Sequence, residues 1–111
     1  MLEHEFDCRQ YEPATGATFW RAPISNVDEE VGLARAAWPE WAARPLSVRV
    51  EALRRFANVV RGQAEVLTDT IARETGKPLW EARTEVESVV AKVDISVNAY
   101  NERTAQRRME G

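Results

Sequence analysis

Few residues of this sequence have side chains and spacing suited to chemistry. His4 is the sole histidine, flanked by Glu3, Glu5, Asp7 and Cys8. Those five mix nitrogen, oxygen and sulfur donors, but their crowding along one short segment matches no zinc spacing, so no metal is expected there. His4 also has no acid-and-nucleophile set beside it, which excludes a hydrolase triad. Cys8 has only Arg9 as a basic neighbour, and a strand position suits a packed thiol better than a thiolate nucleophile. Glu81 and Glu85 stand one helical turn apart as paired acids might, yet Lys77 and Arg83 beside them describe a solvated charged face. Trp38 and Trp41 could stack on a ligand, and burial beneath the next helix is the reading preferred. The five glycines fall at 16, 32, 62, 76 and 111, and none forms a Gly-x-Gly-x-x-Gly phosphate loop after a strand.

The elements that must position these residues follow from pattern. Residues 1–24 read as a β-hairpin. Phe6, Cys8 and Gln10 alternate with polar neighbours, Glu12-Pro13-Ala14-Thr15-Gly16 supplies the turn, and Thr18, Phe19 and Trp20 return. A lone hairpin is marginal in water, so it needs a helix or a partner chain to lie on. Asn26 and Glu29 are placed as cap and third helical residue of a first helix. Its apolar positions Val31, Ala34, Trp38 and Trp41 recur at helical spacing, and Pro39 should end it near Ala37. Ser47 is the expected cap of a second helix striped by Val50, Leu53, Phe56, Ala57, Val60, Ala64, Leu67 and Ile71, with a bend or a short break near Gly62. That helix should end at Thr75. Gly76 suits the left-handed residue beyond a helix C-terminus, and Pro78 the first position of the next helix.

The last stripe, Ala82, Val86, Val89, Val93, Val97 and Tyr100, describes a helix over 78–104 that would be about 40 Å long. A domain of 111 residues cannot cover all of it, so part of its apolar face is expected to meet another chain or the remainder of a larger fold. Residues 105–111 lack periodicity and read as a frayed tail. The expected fold is therefore mainly α, one incomplete domain with an N-terminal β-hairpin (1–24), helices over 25–75 and a long helix over 76–104. Self-association into a homo-oligomer through the exposed helix faces is the expected partnership.

Composition narrows the class. Hydrophobic residues make up 44% and charged residues 30% of the chain, as in a folded globular protein. A net charge of −3, with fifteen basic and eighteen acidic residues interspersed, argues against nucleic acid as a partner. No apolar run reaches membrane-spanning length and no leader is readable, so no membrane is expected. One cysteine cannot form an internal disulfide, which favours a reducing, cytoplasmic setting.

The joint between the two long patterns carries a more specific message. The string Glu74-Thr75-Gly76-Lys77-Pro78 resembles a corner found in aldehyde dehydrogenases. Its continuation Leu79-Trp80-Glu81-Ala82, with Lys92-Val93-Asp94-Ile95-Ser96 and Ala99-Tyr100-Asn101-Glu102-Arg103-Thr104, is most similar to the N-succinylglutamate 5-semialdehyde branch of that family. The turn at 12–17 resembles the family's Asn-Pro-x-Thr-Gly-Glu, with Glu12 for Asn and Ala17 for Glu. Arg54-Arg55-Phe56-Ala57 adds a further identity.

The resemblance implies an N-terminal segment of an NAD-dependent enzyme of arginine catabolism that oxidises an aldehyde through a cysteine thiohemiacetal. That cysteine, the acid that activates water, the Asn of the oxyanion site and the cofactor loop would all lie beyond residue 111. Cys8 is not the nucleophile. The chain alone is then expected to hold no cofactor and to be inactive, and a self-associating helical interaction module is the alternative. The resemblance also places Glu85 and Val89 on a helix bordering the substrate entrance. It places Glu74 and the Tyr11 backbone where some relatives hold a monovalent cation.

Overall fold

The computed structural model describes residues 7–104. Strands β1 (Asp7–Tyr11) and β2 (Thr18–Pro23) precede helices α1 (Val27–Ala43), α2 (Leu46–Gly62), α3 (Ala64–Thr75) and α4 (Leu79–Arg103). The mainly helical chain with an N-terminal hairpin is as expected. Phe6, the His4 cluster apart from Asp7 and Cys8, and the tail over 105–111 lie outside the described residues.

The hairpin is antiparallel, with Cys8 opposite Ala22, Gln10 opposite Trp20 and Tyr11 opposite Thr18. Its turn closes because the Glu12 carbonyl accepts from the amides of Thr15 and Gly16, and the Glu12 N–H donates to Ala17 O at 2.8 Å. Gly16 takes φ 74°, a value that penalises any Cβ. The register shift between Gln10 and Tyr11 leaves Phe19 as the extra residue of a bulge, which bends the strand and re-aims its side chain.

At the start of α1, Asn26 Oδ1 accepts from the Glu29 N–H at 3.1 Å, and Asp28, Glu29 and Glu30 stand at the positive end of the helix. The helix then runs through Pro39 to Ala43 and does not stop at Ala37. Pro39 removes one helical donor, and every residue from 33 to 41 is exposed, so water reaches the carbonyl left behind and the cost falls on a solvated face. Burial of the two tryptophans does not occur either: Trp38 is 67% and Trp41 39% exposed. No residue of α1 is buried, since the helix stands off the rest of the chain.

Three helices make the packed body. Pro45, not Ser47, caps α2, its carbonyl accepting from Val48 and Arg49. A proline with ψ 143° already breaks the preceding helix, so α2 begins one residue before Ser47 and encloses it. The interruption expected near Gly62 is a short break: Gln63, at φ −104° and ψ 14°, separates α2 from α3. Its N–H is shared between the carbonyls of Val59 and Val60. Gly76 closes α3 at φ 75°, its N–H bonded to Ala72 O at 2.8 Å. Pro78 is the cap of α4 and not its first residue, and its carbonyl accepts from Glu81 and Ala82.

Against α4 pack both α2 and α3. The fully buried positions among the described residues are small: Ala57 on α2, Thr68 on α3, Ala82 and Val86 on α4. Small side chains let helix axes approach closely, and the larger stripe residues then flank the seam half-exposed. Phe56, expected in the stripe, is 53% exposed because Ala57 takes the seam and turns its neighbour outward. Exposed ion pairs Arg54–Asp94 and Arg83–Glu65, both 3.4 Å, tie α2 and α3 to α4 but contribute little in water. The result is elongated, 65 × 40 × 29 Å with a radius of gyration of 19.6 Å, against about 13 Å for a compact domain of this length. No described helix is long and apolar enough to cross a membrane.

Candidate functional site

The best-built polar constellation lies where the hairpin meets the end of α3. Gln10 reaches from β1 and donates through Nε2 to two carbonyl oxygens, Tyr11 O and Glu74 O, each at 3.1 Å. From β2, Trp20 Nε1 donates to Glu74 Oε1 at 2.5 Å. Glu74 is thus held by backbone and side chain at once, by residues more than fifty positions away. Arg73 completes the clasp. Its guanidinium lies 4.0 Å from the centroid of the bulged Phe19 ring, a cation–π contact, and its Nε stands 3.5 Å from Glu12 Oε1. The Gly76 backbone passes so close to the turn that a Cβ there would sit 3.4 Å from Pro13 Cβ.

Two of the expected site residues, Tyr11 and Glu74, are therefore brought together. Their carbonyls converge on one amide donor, and the Glu74 carboxylate is taken by an indole N–H.

Beyond Gly76, Lys77 Nζ is ion-paired to Glu85. The hydrogen bond that Lys77 donates to Glu85 and the negative charges of Glu85 and Glu81 raise the Lys77 pKa above its ordinary value, against a smaller opposing effect of burial. Glu85 is half-buried and braces the α3–α4 corner, while Val89, one turn on, is 47% exposed on α4. Glu85 thus holds Lys77, and Glu81 acts on the same ammonium only through its charge.

The other candidates stay separate. Cys8 is exposed on β1, and among the described residues no group of three His, Cys, Asp or Glu can hold a metal. The two positive-φ glycines precede β2 and α4 but neither joins a strand to a helix, so the described residues contain no strand–glycine–helix phosphate cradle. Sequence reading missed the roles of Gln10, Trp20 and Arg73, whose partners are remote in the chain. It also missed a mostly apolar cleft of about 210 Å³ between the end of α1, α2 and α4, lined by Trp41, Leu46, Arg49, Leu53, Val97 and Tyr100 among others.

Comparison with known proteins bears directly on the corner. The aldehyde dehydrogenase family model matches residues 3–110. The chain is 65% identical over 101 residues to an N-succinylglutamate 5-semialdehyde dehydrogenase of Sphingopyxis alaskensis, covering 91% of this chain and 21% of that enzyme. Its identity to the enzyme of that name in Novosphingobium aromaticivorans is 60% over 100 residues, or 90% of this chain and 21% of the relative. For Paraburkholderia xenovorans it is 50% over 99 residues, 86% and 20%. The chain spans about a fifth of the length of the curated relatives it matches. With a hairpin clasped onto a Gly76-Lys77-Pro78 corner and a family match over nearly its whole extent, the chain belongs to the aldehyde dehydrogenase family.

Proposed function

We propose that this chain is the N-terminal framework of an enzyme that oxidises N-succinylglutamate 5-semialdehyde to N-succinylglutamate, a reaction of arginine catabolism, with NAD as hydride acceptor. The observation that carries this reading is the 65% identity to an enzyme of that name across nine-tenths of the chain. No cradle for the cofactor's phosphates exists among the described residues, so no residue here is assigned to NAD and no catalytic step is routed through it. Cys8, exposed on an outer strand, is not the nucleophile.

In this reading the clasp at Glu74 and the Lys77–Glu85 pair fix the direction in which α4 leaves the corner. Val89 then borders the substrate entrance, and Glu85 contributes through its hold on Lys77. A monovalent cation between Tyr11 and Glu74 would have to displace Gln10. The framework has no turnover of its own.

A chimera tests this. The matching 101 residues of the Sphingopyxis enzyme are replaced by those of this chain, and NADH formation from N-succinylglutamate 5-semialdehyde is followed beside that from succinate semialdehyde and acetaldehyde. A soluble chimera that retains activity and preference for the succinylated substrate is expected. A folded but inactive chimera, or NADH formation by the 111-residue chain alone, would refute the reading.

A further inference from the structure

We propose that the Gln10 side-chain amide is a built-in stand-in for a monovalent cation, seating the hairpin on the α3–α4 corner without an alkali-metal ion. The first argument is where the amide points. Its Nε2 lies 3.1 Å from both Tyr11 O and Glu74 O. Both partners are backbone carbonyls, which only accept, so the amide nitrogen and not its oxygen must face them. One NH2 group carries two N–H bonds and meets two acceptors, which uses its donor capacity in full.

The second argument is electrostatic. Glu74 lies in the last turn of α3, where carbonyls have no intrahelical partner and the helix dipole adds negative potential. The half-buried Glu74 also brings its own carboxylate, one oxygen of which accepts from Trp20. The neighbouring cations are turned elsewhere, Arg73 to Phe19 and Glu12 and Lys77 to Glu85. Two carbonyls, a carboxylate and a helix C-terminus thus converge on one point that attracts a positive centre. The positive end of an amide dipole fills it, and all of these groups belong to this chain.

The third argument is thermodynamic. An ion held between hairpin and corner would stabilise the seat in step with the ion's concentration. A tethered amide has a fixed effective concentration, so the seat is indifferent to which salt is dissolved. What the chain gives up instead is the rotamer freedom of one glutamine. The inference concerns the chain's own architecture and does not depend on the reaction proposed above.

Hydrogen exchange of the hairpin amides in the 111-residue chain tests this, with the Glu12 N–H bonded to Ala17 O as one reporter. Rates are compared near neutral pH in sodium, potassium and tetramethylammonium chloride, each at about 200 mM so that general screening is equal. Tetramethylammonium is too large to sit between the carbonyls. Wild-type rates should agree within about twofold in all three salts. Gln10→Glu keeps the shape but sets a carboxylate against two carbonyls. Its hairpin should exchange about tenfold faster in tetramethylammonium chloride, and sodium or potassium should recover at least half of that loss by bridging the oxygens. Gln10→Lys retains a donor and should match the wild type in every salt. Wild-type protection that rises in sodium or potassium over tetramethylammonium would overturn the proposal, because an ion would then hold the seat. So would a Gln10→Glu hairpin as protected as the wild type throughout, or one whose loss neither alkali ion recovers. The wild-type comparison needs no substitution, so a variant that fails to fold does not shelter the proposal.

Discussion

Replacing Gly76 by Ala measures how firmly the hairpin is seated on the helical corner. Gly76 has φ 75°, a region that costs an L-residue with a Cβ about 1–2 kcal/mol. The new methyl would lie 3.4 Å from Pro13 Cβ and 3.7 Å from Pro13 Cγ, so the turn of the hairpin must yield slightly. Gly16 is the internal control. It has nearly the same φ, 74°, but a Cβ there meets nothing within 4 Å. Gly16→Ala should therefore cost about 1 kcal/mol from backbone strain alone, and Gly76→Ala about 1 kcal/mol more, because the displaced turn also loosens the Gln10 and Trp20 bonds to Glu74. Gly76→Asn should fall between wild type and Gly76→Ala, since Asn tolerates the left-handed region. Urea unfolding followed by far-UV circular dichroism reads all three as midpoint shifts at constant slope. Equal losses at 16 and 76 would show that the hairpin does not press on the corner, and the clasp as described would be wrong.

Three further substitutions bear on other parts. Thr68 is 1% exposed with its hydroxyl unpartnered among the described residues, so Thr68→Val, which keeps shape, should stabilise by about 1–2 kcal/mol; a lower urea midpoint would contradict it. The raised Lys77 pKa means its pairing with Glu85 is fully present below the ordinary lysine value of 10.5 and is lost as pH rises through the higher folded value. Glu85→Gln should accordingly lower the thermal midpoint at pH 8 and flatten its decline at strongly alkaline pH, and a parallel alkaline decline in both proteins would refute the link. Pro39→Ala should raise amide protection in α1 and leave that of α3 and α4 unchanged, because α1 buries nothing; a global change in exchange would count against an unpacked α1.

What could be read from the sequence was whatever is encoded within a few residues. The turn at 12–16, the Asn26 cap, the break beside Gly62 and the left-handed stop at Gly76 each depend on local backbone preference, and each lies where expected. Local rules failed where solvent or tertiary packing decides. Pro39 ends a helix only if the orphaned carbonyl cannot be hydrated, and an exposed helix removes that condition. Trp38 and Trp41 were assigned to a core by periodicity, but periodicity marks a face without saying that anything covers it. At Phe56 and Ala57 both residues fit the stripe, and only the closeness of α4 selects the smaller one. The clasp joins Gln10 and Trp20 to Glu74 across 64 and 54 positions, separations at which no spacing rule operates. Resemblance to a known corner motif carries the assignment to a family, whereas the Lys77–Glu85 pair and the bonds from Gln10 and Trp20 to Glu74 lie beyond what counting from that motif can give.

The hairpin's attachment sets the order in which the molecule comes apart. Helices α2 and α3 are each held along the length of α4, but seating the strands on Glu74 requires closing a loop of more than fifty residues in return for a handful of polar bonds and one ring contact. Loop entropy is recovered late and surrendered early. Under mild heat or chaotrope the strands peel away first and bare the edge of β2, while the three-helix body persists. The hairpin would thus be the last part of this framework to find its seat.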